Sequence, residues 1–390
     1  MPEQRKIVTA TPENSETPLD QVRGWVTPNS LFFVRNHFDP PKLDVGTWRL
    51  RVGGLVQRKM GWTFDDLLAL PERTVFATVE CAGNGRSFLA QRVPGVPWGA
   101  GAIGHAEWTG VPLSIVLERA GIQTGAVEVL FEGADRGTEP DHPEPMNFER
   151  SLPLAKAMHP DTLLVTRMNG ELLNEIHGAP LRLFVPGWYG VASVKWLSRI
   201  EVIDKPFRGY FQSKKYTTQR RASNGLETII VGPMAVKSEI IRPKAGDLLG
   251  IGTNRVVGLA WAGEDAVAKV DISTNGGQTW STAQLMGPQA AYSWTLWEYL
   301  WEVSEPGDFS VLARTTSTDG RVQPMEYDPL YLGYQIDFCR ATPVRVAAAT
   351  RTYAEIGNLE ALLFDINAYA EENKRLPLDI EAQYSAGGGI

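Results

Sequence analysis

Cysteine is nearly missing from this sequence: Cys81 and Cys339 are the only two in 390 residues. Two thiols cannot build a disulfide framework or a four-thiolate metal site. A single bridge between them stays open, because spacing alone does not decide it. Histidine is scarce too, limited to His37, His105, His142, His159 and His177. None of these lie three or four residues apart, which excludes a helical di-histidine metal site. No CxxCH occurs, which excludes c-type haem attachment, and an iron–sulfur cluster lacks its thiolates. No apolar run approaches the roughly eighteen residues of a membrane-spanning helix. A basic excess is also lacking: 38 Lys and Arg against 45 Asp and Glu leave a net charge of −7, which argues against a general nucleic-acid binder. The opening stretch MPEQRKIVTATPENSETP has neither a charged-then-apolar leader nor twin arginine. The expected location is the cytoplasm, or the periplasm if a leader has been removed.

What is present is ordinary globular composition, 43% hydrophobic and 21% charged, in a length comfortable for two domains. Residues 1–29 begin polar, with several Pro and Thr, and read as an arm. Residues 30–233 hold short apolar runs broken by Gly and Pro. LFFVRNHF and TWRLRVGGLV read as strands, TFDDLLAL as a short helix capped by Thr63, and RTVFATVECAGNGRS as a strand entering a glycine-rich turn. PLSIVLERAGI reads as a second helix, SLPLAKAM as a helical turn, and VEVLFEGAD, APLRLFVPG and VKWLSRIEVID as strands. This is a mixed α+β domain.

The character changes near Met234. Residues 234–346 show alternating segments separated by turn signals, with Asn275-Gly276 as a strong hairpin turn and no convincing helix. The reading is an immunoglobulin-like β-sandwich, with Trp261, Trp280, Trp294 and Trp297 filling the space between its sheets. In residues 347–390, Ile356, Leu359, Leu362, Leu363, Ile366 and Tyr369 recur at helical spacing, so an amphipathic helix and a tail are expected there.

The chemistry-bearing residues fall in a few clusters. A strand delivers Cys81 to its end, followed by Ala82, Gly83, Asn84 and Gly85, with Arg86 five residues after the cysteine. Glycines let backbone N–H groups approach a ligand closely. Alone, such a cysteine reads as a small buried apolar side chain. Beside guanidinium groups it becomes a candidate nucleophile or a thiolate for a soft metal. Arg35, Asn36 and His37 put a cation, an amide and an imidazole in one loop. His177, Arg182 and Lys195 surround two strands joined by the turn Pro186-Gly187-Trp188-Tyr189-Gly190, a setting that suits a buried anion such as phosphate.

Taken together, CAGNGRS, VRNHF, GVPWGAGAIGHAEWTGVPL, IHGAPLRLFVPGWYGVASVKWL and QSKKY, in this order, resemble the sulfite oxidase family of molybdenum enzymes. The resemblance implies a molybdopterin-binding α+β domain followed by an immunoglobulin-like dimerisation domain, hence a homodimer with one molybdenum cofactor per chain. By motif it implies Cys81 as the metal ligand, with Ala82 and Gly83 in its turn. Arg35, Asn36 and His37 lie over the cofactor, and Asp135 holds the pterin. His177, Arg182, Ser193 and Lys195 lie around the pterin and its phosphate. Tyr216 faces the reactive side of the metal, and Arg86 and Trp98 join Arg35 in the anion pocket.

Two departures stand out. Where vertebrate-like members place a lysine four residues before the pocket tryptophan, this sequence has Pro94. The C-terminal strand that adds an arginine to the pocket in relatives offers both Arg340 and Arg345. The haem motif of the family's cytochrome-like domain is not found, so no haem is expected. The implied activity is oxidation of sulfite to sulfate, with electrons passed to a cytochrome c-like protein or dioxygen. Sulfane dehydrogenase, nitrate reductase and sulfoxide reductase activities are alternatives on the same scaffold. A non-enzymatic β-sandwich assembly protein is the alternative from another class.

Overall fold

In the computed structural model the described residues are 4–22 and 24–348, so the helix expected after residue 350 lies outside them. The strand Arg73–Glu80 is buried without interruption from Val75 onward, so both of its faces are covered. It pairs antiparallel with Ile103–Pro112, which pairs with Leu163–Met168. Arg182–Phe184 and the short Glu171–Leu172 also pair with Leu163–Met168. A second sheet runs in the order Met60–Trp62, Leu50–Gly54, Leu197–Ile203, Glu128–Glu139, His142–Pro153. Among the described residues, helices are few and short. Phe64–Leu68 is closed by Thr63 and Asp66, each accepting from the other's amide in a capping box. Leu113–Ala120 ends on Gly121 at φ 72°, a left-handed cap that glycine adopts without strain. One core joins Leu50, Val52, Val129, Phe131, Leu183 and Ile200 beneath these layers.

Between Lys237 and Ala348 the strands form two sheets. One runs Lys237–Arg242, Gly252–Trp261, Thr295–Val303, Gln284–Met286, and the other Leu248–Gly250, Thr342–Ala347, Gly307–Ser317, Val267–Ser273, Ser281–Thr282. They share one core, in which Val256 and Trp297 from the first meet Val270, Val311 and Val344 from the second. Gly276 and Gly277 take φ of 70° and 91° in the hairpin between Val267–Ser273 and Ser281–Thr282.

The structure differs from three expectations. LFFVRNHF forms no strand, only a bridge from Val34 to Ser15. Leu31, Phe32, Phe33 and Val34 are all buried, so there is no outer face to alternate with. Of the four tryptophans, only Trp297 lies in the core between the sheets, joined by Trp301. Trp280 is half-buried under Arg314. Trp261 and Trp294 pack instead with Trp25 and Phe76, where the two halves of the molecule meet. Trp25 Nε1 donates to Trp294 O at 3.1 Å, and Trp294 Nε1 donates to Trp25 O at 2.8 Å. The expected arm is a docked hairpin, Lys6–Ala10 with Glu13–Glu16, followed by the buried Thr17 and Trp25.

Candidate active site

Cys81 directly follows the buried strand Arg73–Glu80. Its N–H donates to Ala102 O at 2.9 Å and its carbonyl accepts from Asn84 N at 2.8 Å, closing a tight turn over Ala82 and Gly83. A Cβ on Gly83 would lie 2.5 Å from Arg86 Nη2, so any larger residue there would displace the Arg86 guanidinium. The thiol, on a residue 6% exposed, lines a cavity shared with Arg35, Tyr216 and Lys195. Cys339 is a separate buried free thiol, pushed up to about 12 by burial, and is not bonded to Cys81.

Ten of the candidate residues meet at this cavity. Arg35, Asn36 and His37 enter from the irregular segment after Val34, and Asp135 from Glu128–Glu139. His177, Arg182, Ser193 and Lys195 enter from the stretch 176–195, and Tyr216 from the loop before Thr217–Ala222. His37 Nε2 lies 2.6 Å from Tyr216 Oη, and Arg35 Nη2 donates to that oxygen at 3.5 Å. Tyr216 sits at φ 49°, a left-handed conformation that costs a non-glycine residue energy and that clusters at functional sites. Lys195 Nζ donates to Asn36 Oδ1 and, at 3.0 Å, to Ile176 O. Arg182 Nη1 donates to His177 O at 3.1 Å, and Ser193 Oγ accepts from Val185 N at 3.1 Å.

The electrostatics follow from burial. Desolvation holds His37 well below its ordinary value, with Arg35 and Lys195 adding to the effect, so its imidazole is neutral. Desolvation, then Lys195 and Arg182, lower His177 to about 3. Burial pushes Asp135 up and Lys195 down, and each partly compensates the other. Burial also raises the Tyr216 phenol, against the opposing field of Arg35.

Four candidates are not brought to the cavity wall. Arg86 is buried with its guanidinium on carbonyls. Its Nε and Nη2 donate to Gly333 O at 3.1 and 2.9 Å, and Nη1 donates to Val96 O at 2.9 Å. Trp98 is fully buried in the neighbouring core. Ala82 and Gly83 form the turn behind Cys81, where Ala82 O accepts from Gln335 N at 2.8 Å. Neither C-terminal arginine lines the cavity: Arg340 pairs with Glu239, and Arg345 pairs with Asp308 at 2.7 Å. In their stead the C-terminal segment brings Tyr334, whose ring lies 5.0 Å from that of Tyr216 and whose hydroxyl accepts from Tyr216 N at 3.3 Å. Sequence reading also missed Asn14. Its Oδ1 accepts from Arg35 Nη1 at 3.2 Å and from Asn36 N at 2.9 Å, across a sequence gap that no local pattern bridges.

Three buried atoms of cavity residues have no partner among the described residues: Asn36 Nδ2, Asp135 Oδ1 and Arg182 Nε. Each such group costs about 1–3 kcal/mol unless a ligand satisfies it. Two donors and one acceptor, with Lys195 beside them, fit a ligand having ring N–H groups and an anionic end. A molybdopterin has both.

The comparisons with known proteins agree. Residues 37–211 match the oxidoreductase molybdopterin binding domain family, and residues 228–331 match the Mo-co oxidoreductase dimerisation domain family. Sulfite oxidase of Arabidopsis thaliana is 33% identical over 356 residues, covering 84% of this chain and 89% of that protein. Mitochondrial sulfite oxidase of Mus musculus is 34% identical over 346 residues, and the match spans 84% of this chain but only 62% of the mouse protein. The crystal structure of the sulfane dehydrogenase SoxCD from Paracoccus pantotrophus superposes with a TM-score of 0.75 at 29% identity, covering 89% of this chain and 91% of that one. Fold and cavity thus define a molybdopterin-binding oxidoreductase. This chain belongs to the sulfite oxidase family.

Proposed function

We propose that the protein oxidises sulfite to sulfate, with Cys81 as the protein ligand to molybdenum. When bound, the molybdenum cofactor supplies oxygen-atom transfer to the substrate and accepts the electron pair. Asp135, Asn36, Arg182 and Lys195 hold the pterin and its phosphate, supported by His177 and Ser193. Among the described residues no group of three or more His, Cys, Asp and Glu is arranged to hold a metal, which suits a metal held by one thiolate plus the cofactor. Arg35 offers its guanidinium to the substrate anion and stabilises charge as the product forms. Arg35 can only donate, so the Tyr216 oxygen accepts from it. The phenol proton is then free to point to Nε2 of the neutral His37, which holds it at the reactive face. The observation that carries the reading is the meeting of Cys81, Arg35 and Tyr216 on one cavity.

Electrons pass to an external acceptor, a cytochrome c-like protein or dioxygen. Residues 30–233 act as the catalytic domain, and residues 234–346 as an immunoglobulin-like dimerisation domain in a homodimer. The two-sheet arrangement and the family match over residues 228–331 support this division.

A second reading, sulfane oxidation, is favoured by one observation besides the likeness to SoxCD. Arg86 places three of its five N–H donors on carbonyls and does not line the cavity, so Arg35 is the substrate-facing guanidinium where sulfite would profit from more. Molybdenum analysis followed by steady-state assays with sulfite, a sulfane-bearing thiol and nitrate, using an artificial acceptor, tests these readings. Turnover with sulfite well above the others is expected, and turnover with nitrate alone overturns both.

A further inference from the structure

The turn that holds Cys81 is gripped from behind by a buried polar unit that spans the two halves of the molecule. Glu80, immediately before the cysteine, is 2% exposed. Its Oε1 accepts from Lys237 Nζ at 3.0 Å and from Asn84 Nδ2 at 3.0 Å. Its Oε2 accepts from Trp261 Nε1 at 2.9 Å. Lys237 Nζ also donates to Asn84 O at 3.2 Å, and Asn84 Oδ1 accepts from Ala102 N at 3.0 Å. Lys237 opens the strand Lys237–Arg242 and Trp261 closes the strand Gly252–Trp261, so both belong to the first sheet of the C-terminal half. Glu80 and Asn84 bracket Cys81 in the N-terminal half. Gln335 N on Ala82 O and Gly333 O on Arg86 add main-chain contacts from the same C-terminal side.

A buried ion pair is an expensive way merely to glue two domains, because desolvating both charges offsets most of their attraction. Its value lies in direction. The two Glu80 oxygens are fixed by three donors, and Asn84 is fixed at its side chain and its carbonyl. The backbone on either side of the thiol therefore has little freedom.

We propose that Lys237 and Trp261 are positioning residues for the metal-binding thiolate, acting through Glu80 and Asn84 from the C-terminal sheet. This rests on the reading of Cys81 as the molybdenum ligand. The C-terminal half then does more than associate with a second copy: it completes the catalytic half of its own chain.

The test uses the molybdenum-loaded full chain and four variants. Lys237→Met removes the cation, Trp261→Phe removes one N–H donor, and Lys237→Arg keeps charge and donors. Lys156→Met breaks a different ion pair between the halves, Lys156 with Glu264 at 2.6 Å, which touches no residue of the turn. Two readouts report the thiolate rather than the fold. One is the position of the thiolate-to-molybdenum absorption band in the loaded enzyme. The other is the rate of Cys81 alkylation in the cofactor-free protein.

Lys237→Met is expected to shift the band and to speed alkylation about tenfold, the change that ~1.4 kcal/mol produces. Trp261→Phe should move both in the same direction by less, and Lys237→Arg should stay near wild type. Lys156→Met should lower Tm and leave both readouts unchanged. If Lys237→Met does not fold, Trp261→Phe decides. The proposal is overturned if Lys237→Met and Trp261→Phe leave band and alkylation at wild-type values, or if Lys156→Met moves them equally. Cys81→Ser separates this outcome from failure of the underlying reading: a band that survives in Cys81→Ser removes Cys81 as ligand altogether.

Discussion

The cavity of the N-terminal half and the core of the C-terminal sheets handle charge in opposite ways. Around the cavity, Arg35, Arg182 and Lys195 point inward, beside buried polar atoms that find no partner among the described residues. In the sandwich, Arg345 pairs with Asp308, Lys269 with Asp271 and Arg255 with Glu298, while Val256, Val270, Val311 and Trp297 fill the interior. The first arrangement costs stability that a ligand returns, and the second draws its stability from apolar burial. One half leaves polar groups for a ligand to complete; the sandwich interior is filled by its own apolar side chains.

The comparison breaks most visibly at Cys81. Cys81→Ser should abolish turnover while far-ultraviolet circular dichroism stays as in wild type. Undiminished turnover would remove the thiolate from the mechanism. In the opposite half, Trp297→Ala should cost about 3–5 kcal/mol of stability, as expected for truncating a buried tryptophan. Denaturant melts with and without cofactor would check it. An equal loss in both forms supports a core independent of the ligand, whereas a loss confined to the loaded form would contradict it.

Arg35→Gln comes next. Removing the cavity's substrate-facing guanidinium should raise KM for sulfite, with a loss of ~2–3 kcal/mol in kcat/KM. Arg86→Gln, whose target carbonyls are structural, should mainly lower Tm. If Arg86→Gln changes KM as much as Arg35→Gln does, two guanidiniums serve the anion after all.

The smallest expected effect concerns Asp337, pushed up to about 7 by burial, with Oδ1 lacking a partner among the described residues. A carboxyl whose value is raised by folding favours the fold while protonated. Its contribution is present below about pH 4 and is lost as pH rises through about 7. Asp337→Asn should therefore stabilise by ~1 kcal/mol at pH 8 and have little effect at pH 4, as read from Tm against pH. A pH-independent difference would contradict that sign.

Much of the site was legible because it is local. The strand running into Cys81, the glycine turn and the Arg35-Asn36-His37 loop each place their chemistry within a few residues, and a strand end or a turn has a sequence signature. What stayed hidden depends on distant partners. Arg86 stands where an anion ligand would stand, but its carbonyl partner Gly333 arrives from the other half of the molecule. Trp261 and Trp294 alternate as sandwich-filling residues should, yet they pack with Trp25 and Phe76, a destination their own strands do not encode. Asn14 looked like part of a polar arm because only the docked hairpin brings it to Arg35.

The reciprocal hydrogen bonds between Trp25 and Trp294 close a loop of 269 residues. During synthesis at roughly 5–20 residues per second, Trp25 waits on the order of tens of seconds for its partner to leave the ribosome. Throughout that interval the apolar face that Trp25 shares with Phe76 and Ile103 lies open. The N-terminal half therefore cannot finish folding as an independent unit on the nascent chain. Its final packing is deferred until Trp294 has left the ribosome, with the slow, non-local closure that high contact order brings.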